Sequence, residues 1–215
     1  MTKSEIRSFV KGLVRGISVE ERTRFSEALK EEVVGLECWR SAKEVMLFFS
    51  LPDEVDMLPL IRAALAEQKR IYLPRVIAAQ VSRGVDVCKV AEGNTLPKKS
   101  TLPAGNTVSG EEMILEVREL APGQLALGRW GIWEPTDEAP LLSDYSRLDL
   151  VVVPGVAFSS DGKRLGRGKS FYDRFLPLVP RAAFVGVCYP CQVVEQIPAD
   201  PWDIGMDIVC CGEKR

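Results

Sequence analysis

The hydrophobic positions change period several times along the chain, and each change marks an element. Residues 3–15, KSEIRSFVKGLVR, predict a basic helix with Ile6, Val10 and Leu13 on one face. SVEE at 18–21 reads as a capping box, with Ser18 as N-cap and Glu21 three residues on. It opens a second helix that runs to about Cys38. EVMLFFS (44–50) predicts a strand. DEVDMLPLIRAALAEQ then carries helical spacing through Leu58, Ile61 and Leu65, with Pro59 tolerated near its start. KRIYLPRV and VDVCKV are further short strands, and residues 91–112, rich in Gly, Pro, Ser, Thr and Asn, read as an irregular connection.

The clearest strand pattern is LDLVVVPGVAF (148–158), apolar on both faces as a central parallel strand requires. SSDGKRLGRGKS follows as a loop, FYDRFLPLV as a short helix and AAFVGVCYP as another buried strand, which together make a βαβ unit. Alternation of this kind through most of the chain predicts a single α/β domain over 1–215. Its expected form is three-layered and Rossmann-like: an open, mostly parallel sheet with helices on both faces.

Composition narrows the function more than the fold. A length of 215 residues suits one domain, and a net charge of −2 gives no overall pull toward nucleic acid or an anionic membrane. The charged N-terminus does not read as a signal peptide, and no apolar run reaches the length of a membrane span. A cytoplasmic monomer acting on small molecules, without nucleic-acid or membrane partners, is the expectation. The sequence contains no histidine, which excludes Ser-His and Cys-His nucleophile pairs and any His-based metal site. Cys188, Cys191, Cys210 and Cys211 come near a zinc ribbon, but adjacent cysteines rarely place both sulfurs on one tetrahedral ion. Pro190 and Pro198 also break up the helix that a redox Cys-x-x-Cys needs. Reduced structural thiols are the expectation, and a zinc-stabilised regulatory protein is the alternative.

Candidate chemistry concentrates after the valine strand. Lys163, Arg164, Arg167, Lys169 and Arg174 fall within twelve residues, interleaved with Gly166 and Gly168. GKRLGRGKS nearly spells a P-loop, but five residues separate Gly162 from Gly168 where that motif has four. The loop sits at the carboxyl end of a central strand, where open α/β sheets place their ligands, and glycine lets backbone amides approach phosphate oxygens. The following helix would add its positive end. Phosphate binding of a kind other than the P-loop is predicted; a solvated basic turn is the bland alternative. Asp173, one turn beyond Lys169, supplies a carboxylate of the kind magnesium shares with phosphate oxygens, unless it merely pairs with Arg174 or Arg167. Asp203 is the candidate second ligand.

RLGRGKSFYDRFL carries a resemblance to the 5-formyltetrahydrofolate cyclo-ligases, also called 5,10-methenyltetrahydrofolate synthetases. In that family a strand ending in Pro-Gly is followed by Arg-Leu-Gly-x-Gly-x-Gly-Tyr-Tyr-Asp. KSEIR, FFSLPDEVDM, IYLPRV, GIWEP and CQVVEQIPADPWD resemble its other motifs, in the right order. The resemblance implies conversion of ATP and 5-formyltetrahydrofolate to ADP, phosphate and 5,10-methenyltetrahydrofolate, with Mg2+. The formyl oxygen would attack the γ-phosphate and N10 would then displace phosphate, so the nucleophiles belong to the substrate and no histidine is needed.

Carried over residue by residue, Lys3 and Arg7 would bind ATP, with Arg164, Gly166, Arg167, Gly168, Lys169, Ser170, Phe171, Tyr172 and Asp173 around its phosphates. Arg164, Arg167 and Lys169 are the candidate catalytic cations, and Asp173 and Asp203 the magnesium ligands. Phe49 and Glu54 would hold the folate, with Arg167, Gly168, Lys169, Ser170 and Phe171 also facing it. Trp133 would stack on the pterin or the benzoyl ring, or else be a core aromatic. Lys3 and Arg7 could instead be a solvated face; Glu54 and Asp56 could instead favour the N-terminus of the next helix. Arg75 and Glu134 pair with each other or with ligand. Three departures stand out: Ser170 replaces the third glycine, Phe171 the first tyrosine, and Trp202 stands where His or Asn is common. They leave a non-catalytic folate- or nucleotide-binding module as the second reading.

Overall fold

The structure, a computed structural model, describes residues 1–80, 111–128 and 130–213. Two capped helices open it. Helix α1 (Lys3–Arg15) starts on a capping box between Thr2 and Glu5, and α2 (Val19–Val34) on the predicted box between Ser18 and Glu21. Each box satisfies two otherwise orphaned backbone donors, and losing its cap would cost about 1 kcal/mol. The buried face of α1 is Ile6, Val10 and Val14, spaced by four; Leu13, expected on that face, is exposed. Gly35 ends α2 before the predicted Cys38, and a separate turn, α3 (Glu37–Ser41), brings Trp39 into the core.

Strand β1 (Glu44–Met46) is shorter than the hydrophobic run suggested, because the chain leaves the ladder after Leu47 donates to the Tyr72 carbonyl. Helix α4 (Leu58–Ala66) forms where predicted but presents Leu60, Ile61 and Ala64 inward, leaving Leu58 and Leu65 exposed. Strand β2 (Arg70–Gln80) pairs antiparallel with β3 (Glu111–Glu119), an element the sequence pattern had not assigned. VDVCKV and residues 91–110 lie outside the described residues. Strands β4 (Leu125–Leu127) and β5 (Trp133–Pro135) form a small hairpin.

The valine run divides. Strand β6 (Leu150–Pro154) enters the central sheet, whereas β7 (Ala157–Ser159) joins a small sheet with β8 (Arg164–Leu165), which lies inside the predicted loop. The five-residue α5 (Phe171–Phe175) follows, then β9 (Ala183–Val187), β10 (Val193–Val194) and β11 (Ile208–Cys210).

The central sheet runs β11-β9-β6-β1-β2-β3, parallel throughout except for β2 with β3. Side chains alternate across it. Leu150 and Val152 pack with α1, α2 and α4, while Val151 and Val153 pack with Phe175, Leu176 and Val179. The chain steps from β1 to β2 on one side and from β6 to β9 on the other, so a crevice opens beyond the carboxyl ends of β1 and β6. That crevice collects the site residues.

Candidate active site

From the end of β1 the chain runs through Phe49 into a tight turn in which the Glu54 amide donates to the Leu51 carbonyl. The Leu51 amide donates in return to Glu54 Oε2 at 3.0 Å, and the Tyr189 hydroxyl donates to the Glu54 carbonyl at 2.9 Å. These contacts fix a carboxylate whose side chain is 9% exposed. Burial pushes the Glu54 carboxyl above its usual range, against the opposing pull of the Leu51 amide and Arg167. Asp56, by contrast, accepts from the Leu58 amide and serves the start of α4, so the helix-terminus alternative holds for Asp56 and not for Glu54.

From the end of β6 the chain passes through β7 and β8 to the basic loop. Gly162 adopts φ +84°, and a Cβ there would lie 2.4 Å from the Met206 carbonyl oxygen; its glycine serves chain packing rather than phosphate. Arg164, on β8, is buried. Its Nη2 donates to Asp173 Oδ1 at 2.6 Å and its Nη1 to the Pro154 carbonyl at 3.3 Å, while its Nε is buried with no partner. Asp173 therefore pairs with neither Arg174 nor Arg167. Arg174 instead donates to the Met113 and Ser170 carbonyls, tying the loop to β3.

Arg7 of α1 donates through Nε to the Gly166 carbonyl at 2.9 Å, so helix and loop are joined directly. Gly168 adopts φ +89°, as only glycine does readily, with the Arg7 guanidinium just beyond it. Ser170, which replaces the third glycine of the motif, adopts a left-handed backbone at φ 51° and ψ 25°. The serine therefore bears the strain of a conformation that glycine adopts freely. Phe171 packs against Trp130 and lies under Arg174, at 6.5 and 5.7 Å between centres, and Tyr172 lies under Arg164. Burial and the nearby Glu54 charge raise the Tyr172 hydroxyl far above the usual range. Lys169 is exposed and forms no hydrogen bond or ion pair with the described residues. Because α5 is only five residues long, the loop's cations and amides, not a helix dipole, supply the positive field.

Arg167 reaches away from its own loop. It donates to both oxygens of Asp53, at 3.1 and 2.6 Å, and through Nε and Nη2 to Glu54 Oε1, at 3.2 and 2.9 Å. Although burial works against ionisation, this pairing holds the Asp53 carboxyl below its ordinary value. Lys3 bridges Asp200 and Asp203, at 2.6 and 2.5 Å, and these carboxylates keep it charged although burial opposes that. Neither Lys3 nor Arg7 is a merely solvated residue. Trp202 is a surface side chain.

Two hollows flank this cluster. One, of about 180 Å³, is lined by Arg7, Lys11, Asp53, Gly155 and Arg167. The other, of about 470 Å³, is lined by Phe49, Leu58, Leu125, Ile132 and Trp133. Trp133 is 52% exposed, so it is a groove residue and not the core aromatic that was the alternative. Arg75 and Glu134 do not form an ion pair: Arg75 binds the Pro135 carbonyl, Asp137 and Glu116, bracing the hairpin that carries Trp133.

The two candidate metal ligands stand in separate ion pairs, Asp173 with Arg164 and Asp203 with Lys3. Asp173 Oδ2 and Asp203 Oδ1 accept no hydrogen bond from the described residues, so each carboxylate retains a hard oxygen donor suited to Mg2+. Among the described residues, no group of three or more His, Cys, Asp or Glu side chains is arranged to hold a metal, and Cys188, Cys191, Cys210 and Cys211 are free thiols. The zinc alternative thus finds no ligand set there. Sequence reasoning had passed over Asp53, Lys11, Asp200 and Leu58. Two of them were within reach: Asp53 adjoins Glu54, and Lys11 lies one helical turn beyond Arg7.

The chain is similar to known proteins along nearly its whole length. The 5-formyltetrahydrofolate cyclo-ligase family matches residues 1–212. The 5-formyltetrahydrofolate cyclo-ligase of Haemophilus influenzae is 26% identical over 212 residues, covering 98% of this chain and 97% of its own. That of Escherichia coli K12 is 30% identical over 175 residues, 80% of each chain. The NMR structure of Aquifex aeolicus 5,10-methenyltetrahydrofolate synthetase superposes with a TM-score of 0.73 at 32% identity, covering 100% of this chain and 91% of that one. A Mycoplasma pneumoniae 5,10-methenyltetrahydrofolate synthetase, at TM-score 0.68 and 19% identity over 99% of this chain and all of that one, shares the fold.

Proposed function

The chain belongs to the 5-formyltetrahydrofolate cyclo-ligase family and converts 5-formyltetrahydrofolate to 5,10-methenyltetrahydrofolate at the expense of ATP; we propose that it does so in the crevice between β1 and β6. In this reading residues 1–215 are one catalytic unit, a Rossmann-like sheet with its ligands at the switch between β1 and β6. It acts as a cytoplasmic monomer; among the described residues no helix is long and apolar enough to cross a membrane.

The observation that carries the site assignment is Arg164. A buried guanidinium with one N–H left without a partner, beside a glycine loop, is incomplete until an anionic oxygen arrives. Lys3, Arg7 and the loop from Gly166 to Tyr172 take the triphosphate. Lys169, which has no carboxylate to give up, approaches the transferring phosphoryl group together with Arg164 and Arg167. Glu54 accepts from the pterin amino and ring N–H groups, and Phe49 and Trp133 provide the apolar walls. Held in this way, the formyl oxygen bonds to the γ-phosphorus as ADP leaves. N10 then attacks the former formyl carbon, phosphate departs with the formyl oxygen and takes up the proton that N10 loses, and the ring closes. The protein aligns the reacting atoms and stabilises charge on phosphate oxygens, which requires neither a protein nucleophile nor histidine. Magnesium, when bound, neutralises phosphate charge; Asp173 and Asp203 would hold it through their open oxygens.

The test is near-ultraviolet absorbance of the methenyl product, with and without Mg2+, in the wild type and in Asp173→Asn. Turnover should require the metal and be lost in the variant. Tight binding of either ligand without ATP consumption would select the non-catalytic binding module instead.

A further inference from the structure

We infer that Asp53 is a positioning residue that holds Arg167 across the Glu54 carboxylate assigned to folate, so that nucleotide and folate bind cooperatively through one shared guanidinium. This rests on the assignment of Glu54 to the folate.

Both oxygens of Glu54 are already in use. Oε2 accepts from the Leu51 amide and Oε1 from two nitrogens of Arg167. A carboxylate that recognises a pterin must present acceptors to adjacent N–H groups, and here the guanidinium covers one of them. Arg167 cannot leave without loss, because Asp53 grips it through two further hydrogen bonds. Moving it to solvent would strand one cation and two carboxylates.

The same guanidinium lines the 180 Å³ hollow beside Arg7 and Lys11, on the side of the phosphate loop. Three cations around one hollow, only one of them tied to carboxylates among the described residues, are a receptor for polyanionic oxygen. A triphosphate there offers Arg167 a replacement partner and uncovers Glu54. Arg167 and Asp53 are 40% and 37% exposed at their side chains, so the exchange needs no opening of the core. A ligand that lowers the cost of freeing Glu54 must tighten folate binding, and by linkage folate must tighten nucleotide binding by the same factor.

Calorimetric titration of 5-formyltetrahydrofolate, with and without a non-hydrolysable ATP analogue, tests the coupling. In the wild type the analogue should tighten folate binding about fivefold or more, with the reciprocal effect on the analogue. In Asp53→Asn, folate alone should bind more tightly and the factor should fall toward one; Arg167→Gln should remove the factor altogether. Equal folate affinity with and without the analogue in the wild type, or a full factor in either variant, overturns the inference. Glu54→Gln separates the two readings. Unchanged folate binding in that variant sinks the folate assignment itself, whereas lost binding in a protein without coupling sinks only the shared guanidinium.

Discussion

The wall of the site built from α1 and the glycine loop has its arginines engaged within the protein, whereas the wall built from Phe49 and Trp133 presents aromatic surface to a groove. Arg7 holds a carbonyl, Arg164 a carboxylate, and Arg167 two carboxylates. On the proposed assignment, phosphate would bind the first wall by exchanging partners, and its charge would contribute more to alignment than to affinity. Folate would bind the second by covering apolar area that water now touches, which would contribute affinity directly. Damage to the first wall should appear in chemistry and folding together, and damage to the second in substrate affinity alone.

The largest effect is expected at Arg164. Arg164→Ala should lose roughly 10²- to 10³-fold in kcat/KM. It should also destabilise the fold by about 3 kcal/mol, because the partly buried Asp173 is left without its cation. Steady-state kinetics and urea unfolding measure both, and wild-type turnover in a folded variant would remove Arg164 from the mechanism.

Glu54→Gln comes next, with about a 10- to 100-fold loss in kcat/KM for the folate. Its stability should move the other way. Burial raises the folded-state pKa of Glu54, so the folded protein binds the proton more tightly than the unfolded chain. Stability contributed at this position is full below the ordinary carboxylate value and declines as pH rises to the raised one. The glutamine should flatten that decline, and an unaltered pH profile of denaturation would count against a destabilised functional carboxylate.

Trp133→Ala should raise the folate KM about three- to tenfold and leave the ATP KM unchanged. Thermal stability should stay within about 0.5 kcal/mol, since the ring is half exposed. A change in the ATP KM instead would mean that the two walls are not separate.

The smallest effect is expected at Ser170. Serine there occupies a left-handed backbone at a cost of about 1 kcal/mol, so Ser170→Gly should raise the melting temperature by about 2–4 °C. An unchanged melting temperature would show the strain to be relieved elsewhere in the loop.

The chain's own order carried a good deal of this. The box at Ser18, the buried valines of β6 and the spacing of Arg164, Gly166, Gly168 and Asp173 are local facts, legible because capping, period and loop chemistry depend on near neighbours. Which residue of a run turns inward was less legible. Leu13 lost its place to Val14, and Leu58 and Leu65 theirs to Leu60 and Ala64, because the packing surface and not hydrophobicity alone selects the face.

The sequence by itself determined that buried strands and amphipathic helices alternate and that a cationic glycine loop follows the most apolar strand, since those patterns are written in adjacent residues. Only the tertiary structure decided that Arg167 lies on Asp53 and Glu54, that Lys3 bridges Asp200 and Asp203, and that Trp133 faces a groove. These partners are separated by more than a hundred residues or sit on different elements. Charge and aromatic character fix what a side chain can bind, but the strand order fixes what it meets.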